Sequence, residues 1–238
     1  MAKIVFSLIF LNLLLSSTLH ADSINIAVTA SFKPVLEEVV PLFKHATGHD
    51  VVLSSASTGT LYQQIRHGAP FDIFLAADAQ RPTQLQQSLK LSTDRVFLYA
   101  TGQLVLVSTD PEVQKLDDLL NSPHQLVIAN PAVAPFGVAA EEVLTRIDYQ
   151  GKKVLANNVS QAQQYLTLGL SPVGIVSASV AIDLPHSSIA SNLYSPVIQQ
   201  GIVLSNSAAA NEFVLFLSSK DVTELYQRFG YSMPILTP

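Results

Sequence analysis

INIAVTASFKPVLEEVVPLF, residues 24–43, contains a strand, a junction and a helix in one short passage. Ile24 to Val28 reads as a short β-branched strand. Ser31, Phe32 and Lys33 follow, and Pro34 falls in the first turn of the expected helix, where a missing N–H leaves no bond unmade. Val35, Leu36, Val39, Val40 and Phe43 then lie on one helical face. The alternation continues outward from this stretch. VVL (51–53), DIFLA (72–76), LVLV (104–107), LVIA (126–129), VGIV (173–176) and GIVL (201–204) read as strands. Between them Leu61 with Gln64 and Ile65, Val143 with Leu144, and Tyr165 with Leu166 mark helical faces. Repeated strand–helix alternation predicts an α/β architecture of parallel sheets flanked by helices. Ligands of such sheets bind beyond the carboxyl ends of the strands, where loops run into helix starts.

The first residues follow another pattern. Lys3 precedes an apolar run from Ile4 to Leu15, then small and polar residues up to Ala21, which reads as a secretory leader cut between Ala21 and Asp22. The run is well short of the roughly 20 residues of a spanning helix. With 48% hydrophobic and 13% charged residues, the remainder can bury a substantial core. Cysteine is absent, so an exported chain holds by packing alone, which suits a bacterial periplasm better than a disulfide-framed secreted module. The net charge of −5, with no cluster of Lys and Arg, argues against nucleic acid and against an anionic membrane surface. No repeat, low-complexity tract or charged linker occurs, so any division into lobes must be made by strands that cross over.

The strand-to-helix junctions carry the candidate chemistry. Ser31 follows the first strand; Ser57, Thr58 and Gly59 precede TLYQQI; Pro135, Phe136 and Gly137 precede VAAEEVL; Asn157, Asn158, Val159 and Ser160 precede QAQQYL. A helix start offers unpaired backbone N–H groups and the positive end of a dipole, so converging starts would hold an anion without any basic residue. Hydroxyls such as Ser31 and Thr58 add neutral donors. Taken one at a time, the same residues read as ordinary N-caps. Glu141 and Glu142 read as complements to a helix dipole.

Other chemistry finds less support. His45 and His49 have zinc-like spacing, but Gly48 interrupts the helix that would align them and no third ligand is evident. No nucleophile elbow, phosphate loop or dinucleotide fingerprint occurs. Asp72 and Asp78 read as structural or capping residues.

GAPFDIFLAAD (68–78), with the hydroxyl cluster ahead of it, resembles the periplasmic molybdate-binding proteins of ABC transporters. The likeness continues through LVLV, NPAVAPFGVAAEEVL (130–144), NNVSQAQQY (157–165), VGIV and YSPVIQQGIVL (194–204), in the family's order. The resemblance implies a two-lobed periplasmic binding protein fold, each lobe a mainly parallel sheet flanked by helices, with crossover strands as the hinge. Residues 22–102 and 203–238 would form one lobe and 103–202 the other. It places the family's pocket hydroxyls on Ser31 and Thr58 and its backbone donors on Phe136 and Val159. In one branch of the family a pocket tyrosine stands where this chain has Ser177.

The resemblance therefore implies a monomeric, exported, periplasmic solute-binding protein that captures molybdate, and tungstate, as oxyanions. It would deliver them to a membrane permease and its ATPase, with no cofactor, no free metal cation and no catalysis. Two rival readings stay open: a binding protein for sulfate or another oxyanion, and an exported hydrolase using Ser31 or Ser57 as nucleophile. The hydrolase needs a base within reach, and His67, beyond the helix after Thr58, is the one histidine near any of the four junctions.

Overall fold

The computed structural model describes residues 22–233, so the expected leader at 1–21 lies outside the described residues. The chain runs β1 (Ser23–Thr29), α1 (Lys33–Thr47), β2 (Asp50–Ala56), α2 (Thr58–Arg66), β3 (Ile73–Ala76), α3 (Gln80–Ser88), β4 (Val96–Gly102) and β5 (Leu104–Ser108). It continues through β6 (Leu126–Ala129), α4 (Pro135–Arg146), β7 (Lys153–Ala156), α5 (Val159–Thr167), β8 (Val173–Ser177) and β9 (His186–Ser188). It returns through β10 (Val197–Val203), α6 (Ala208–Leu217), α7 (Lys220–Arg228) and β11 (Tyr231–Ser232).

Two sheets result. The first has the order β11-β4-β10-β3-β1-β2 and the second β7-β6-β8-β5-β9. Both are mixed rather than mainly parallel. β1 runs parallel to β2 and β3, and β6 parallel to β7 and β8, but β4, β10 and β11 pair antiparallel, as do β5, β8 and β9. Among the antiparallel members, β4 leads directly into β5 where the chain passes to the second sheet, and β10 brings it back to the first. β10 joins the first sheet from Val197, inside the stretch 103–202 that the sequence suggests for the second lobe. Its leading half, VIQQ, carries two glutamines and lacks the apolar run that marks GIVL.

Burial follows the pleat. Ile24, Ile26 and Val28 pack with Phe32, Val35, Leu36, Val39 and Phe43 of the α1 segment and with Phe213, Leu217 and Tyr226, while Ala27 on the opposite face packs with Leu61 and Ile65 of α2. In the second sheet Leu104, Leu106, Leu126 and Ile128 face α4, and Val105, Val107, Val127 and Val176 face α5. Both sheets are thus covered on both sides. The carboxyl ends of the parallel pairs β1–β2 and β6–β7 carry the four junctions that the sequence singles out.

Candidate functional site

Residues from all four junctions line one small cavity between the sheets: Thr29, Ala30 and Ser31 ahead of α1, Ser57 ahead of α2, Ala134, Pro135 and Phe136 at α4, and Asn158 and Val159 at α5. Thr58 is fully buried just behind this lining. The positive ends of helices from both lobes therefore meet at one point, each equivalent to roughly half an elementary charge.

The capping reading divides. Ser57 Oγ accepts from the Thr60 N–H at 3.4 Å and Asn158 Oδ1 from the Gln161 N–H at 2.9 Å, so these two residues do cap their helices. Ser31 does not. The cap position of α1 is Phe32, which supplies no side-chain bond, and Ser31 Oγ is a buried hydroxyl with no partner among the described residues. A buried polar atom left unsatisfied costs about 1 to 3 kcal/mol, so its presence at the cavity wall points to a polar guest. The backbone extends the pattern: no acceptor among the described residues takes the N–H of Ser31, Thr58, Phe136 or Val159. Among the nine lining residues there is no ionisable side chain, so the site offers donors and dipoles alone.

Local packing sets these donors. A Cβ on Gly137 would stand 2.2 Å from the Ala129 carbonyl oxygen, so glycine lets the first turn of α4, with Phe136 in the cavity wall, sit against the end of β6. Gly59 plays a matching part across the cleft. Its N–H donates to the Val133 carbonyl at 2.8 Å, and a Cβ there would approach that oxygen to 3.0 Å and Val133 Cα to 3.1 Å. Ser160 Oγ donates to the Ala30 carbonyl at 3.4 Å, and Ser179 Oγ to the Ser31 carbonyl at 2.7 Å. These bonds between lobes describe a closed cleft.

The geometry refines the expected roles of Thr58 and Ser177. Thr58 Oγ1 accepts from the Ala77 N–H at 3.0 Å and donates to Thr29 Oγ1 at 3.1 Å, so its hydroxyl is engaged away from the cavity. Ser177 is buried and shares a hydrogen bond of 3.0 Å with Ser179, which in turn holds Ser31. Sequence reasoning missed Ser179 and Tyr231. The Tyr231 hydroxyl donates to the Ser31 carbonyl at 2.8 Å and lies 3.2 Å from Ser179 Oγ, and burial pushes its ionisation above the usual tyrosine range. Neither has a signal in sequence, because strand β11 is two residues long and Ser179 sits in a 3-10 helix of three residues.

The remaining candidates have structural duties. Asp72 accepts from the Asn25 N–H at 2.8 Å, joining the starts of β1 and β3, and Asp78 accepts from the Arg81 N–H at 2.9 Å while pairing with its guanidinium. Gly48 ends α1 at φ 81°; His49 Nδ1 accepts from the Asp22 N–H at 3.0 Å and its Nε2 faces Glu212 at 3.4 Å. Glu141 pairs with Lys153 at 2.7 Å, and Glu142 accepts from the Ser195 N–H at 2.5 Å, so both act in tertiary contacts beyond the helix dipole. His67 closes the far end of α2, with Nδ1 2.6 Å from the Gln63 carbonyl. A helix of nine residues is roughly 13 Å long, which keeps His67 out of reach of Ser57 at its start.

A family model for bacterial extracellular solute-binding proteins matches residues 24–232. The molybdate-binding protein ModA of Rhodobacter capsulatus is 34% identical over 225 residues, covering 89% of this chain and 88% of that protein. Its counterpart in Azotobacter vinelandii is 32% identical over 238 residues, covering 92% and 94%. The solved periplasmic molybdate-binding protein of Azotobacter vinelandii superposes with a TM-score of 0.82 at 30% identity, covering 89% of this chain and 99% of that structure.

Proposed function

The chain belongs to the bacterial extracellular solute-binding protein family, and from that premise we propose that it captures molybdate, and tungstate, in the cavity between its sheets and delivers the ion to an ABC permease driven by an ATPase. The observation that carries this reading is the convergence of four helix starts, with free N–H groups and the unpartnered Ser31 hydroxyl, on one cavity without ionisable side chains. Such a site holds a charged guest by fixed dipoles and needs no counter-charge. Ser31, Thr58, Phe136 and Val159 are the proposed contacts, with Ser177 acting through Ser179.

Closure is the working stroke. Ser31 and Thr58 belong to one lobe, Phe136 and Val159 to the other, so one ion meets both sets of donors only when the lobes are together. An ion that binds the closed arrangement better shifts the population toward it. The chain acts as a monomeric carrier and not as an enzyme: among the described residues, no base stands beside the two serines that could be nucleophiles. It is exported through a leader ending near Ala21, which N-terminal sequencing of the secreted chain checks.

Choice among tetrahedral dianions rests on size, because dipoles see the same formal charge on each. Metal–oxygen bonds in molybdate and tungstate are longer than the sulfur–oxygen bonds of sulfate. A donor ring set for the larger ion leaves sulfate short of some donors, each costing about 1 to 3 kcal/mol if unmet. Hydrogen phosphate carries a proton that needs an acceptor, which this lining scarcely supplies. Titration calorimetry with the four oxyanions tests the reading. Tungstate should displace molybdate at comparable concentration while excess sulfate leaves binding almost unchanged; equal competition by sulfate would assign the site to sulfate.

A further inference from the structure

We propose that Thr29, the last residue of β1, donates its hydroxyl proton to the bound oxyanion, and that Thr58 serves as the positioning residue behind it. This rests on the oxyanion reading above. Alternation along β1 puts Thr29 on the Ala27 face, toward α2, and so beside Thr58 at the start of that helix. Thr29 is 4% exposed and forms part of the cavity wall, which Thr58 does not.

The geometry sets the direction, with Thr58 Oγ1 as the donor. The Ala77 amide can only donate, and it donates to Thr58 Oγ1. Thr58 and Thr29 share one hydrogen bond but carry two hydroxyl protons. With Thr58 as donor, as the geometry has it, the Thr29 proton is the one without an acceptor among the described residues. The chain Ala77 N–H to Thr58 O–H to Thr29 O–H therefore points a polarised donor at the cavity, beside the equally unpartnered Ser31. Successive hydrogen bonds strengthen the terminal donor. Its first-lobe hydroxyls would then be Ser31 and Thr29, and Thr58 would reach the ion through its backbone N–H.

Calorimetric titration of molybdate into the parent, Thr29→Val, Thr29→Ser, Thr58→Val and Thr58→Ser tests the assignment, with ligand-free melting as the control for folding. Thr29→Val should weaken binding roughly tenfold or more, the loss of one hydrogen bond to a charged group. Thr29→Ser should recover most of the affinity. Thr58→Val should lose less than Thr29→Val, and Thr58→Ser should restore it. If Thr29→Val does not fold, Thr29→Ala carries the same expectation. Parent-like affinity in either Thr29 variant lacking the hydroxyl, or a greater loss in Thr58→Val, overturns the proposal. A parent that binds no oxyanion overturns the functional reading itself.

Discussion

Replacing Ser31 by alanine should move stability and affinity in opposite directions. Ser31 Oγ is buried and has no partner among the described residues, so removing it costs the ligand-free protein no hydrogen bond there. Where the cleft is closed, the substitution relieves a desolvation cost of about 1 to 3 kcal/mol; where it is open, water already satisfies the hydroxyl and the change is neutral. For a chain of this size each kcal/mol corresponds to roughly 2 to 4 °C in melting temperature. Ser31→Ala should therefore melt at or above the parent without ligand. With ligand the balance inverts, since a hydrogen bond to a dianion is worth about 1.5 to 3 kcal/mol, or roughly 10- to 150-fold in affinity. The Ser31 carbonyl, held by Ser179 and Tyr231, is untouched by the substitution. Differential scanning calorimetry with and without molybdate, paired with titration calorimetry, reads both effects. A variant that melts lower than the parent without ligand yet binds as tightly would refute the reasoning, because Ser31 would then be a structural residue.

Gly59→Val should weaken molybdate binding by preventing closure, because the new side chain must enter a space where even a Cβ would sit 3.0 Å from the Val133 carbonyl. Small-angle scattering should show the parent contracting on adding ligand and the variant not; full contraction in the variant would remove Gly59 from the closure contact. Alkaline stability follows from Tyr99, Tyr226 and Tyr231, whose ionisation burial pushes above the usual range. In the unfolded chain they lose their protons near pH 10 while the folded chain retains them, so stability is complete below that pH and falls as pH rises further. The slope is about 1.4 kcal/mol per pH unit for each tyrosine. Melting curves between pH 8 and pH 11.5 should show the decline beginning near 10 and becoming shallower in Tyr226→Phe; a flat profile would contradict it.

The parts of the fold with a continuous apolar run were legible: β1, β3, β5, β6 and β8 are buried along almost their whole length and read as strands from residue type alone. The first half of β10 was not, since Gln199 and Gln200 break the pattern where the strand returns from the second sheet. For the site, the helix-start signals located the donors, but no one-dimensional pattern could tell a cap from a ligand contact. That distinction depends on whether a hydroxyl finds a partner in three dimensions. Ser57 and Asn158 find backbone N–H groups within their own first turns, whereas Ser31 finds none. The bond between Thr58 and Thr29 joins residues 29 positions apart, and the hold of Tyr231 on Ser31 spans 200, separations at which sequence carries no local trace.

The nesting of one sheet inside the other has a consequence in time. β5 to β9 are contiguous in the chain, so every strand of the second sheet is present once Ser188 has emerged. The first sheet must wait. Its β3 pairs with β10 through Ala76 and Gln200, and its β4 pairs with both β10 and β11, so two early strands wait on two late ones. A chain threaded N-terminus first thus holds β3 with an unprotected edge until its last elements arrive, and such non-local pairing is intrinsically slow. The half of the cleft bearing Phe136 and Val159 matures first. The half bearing Ser31 is finished only when Tyr231 arrives to hold its carbonyl, so a chain released too early would present half a cleft and an edge open to aggregation.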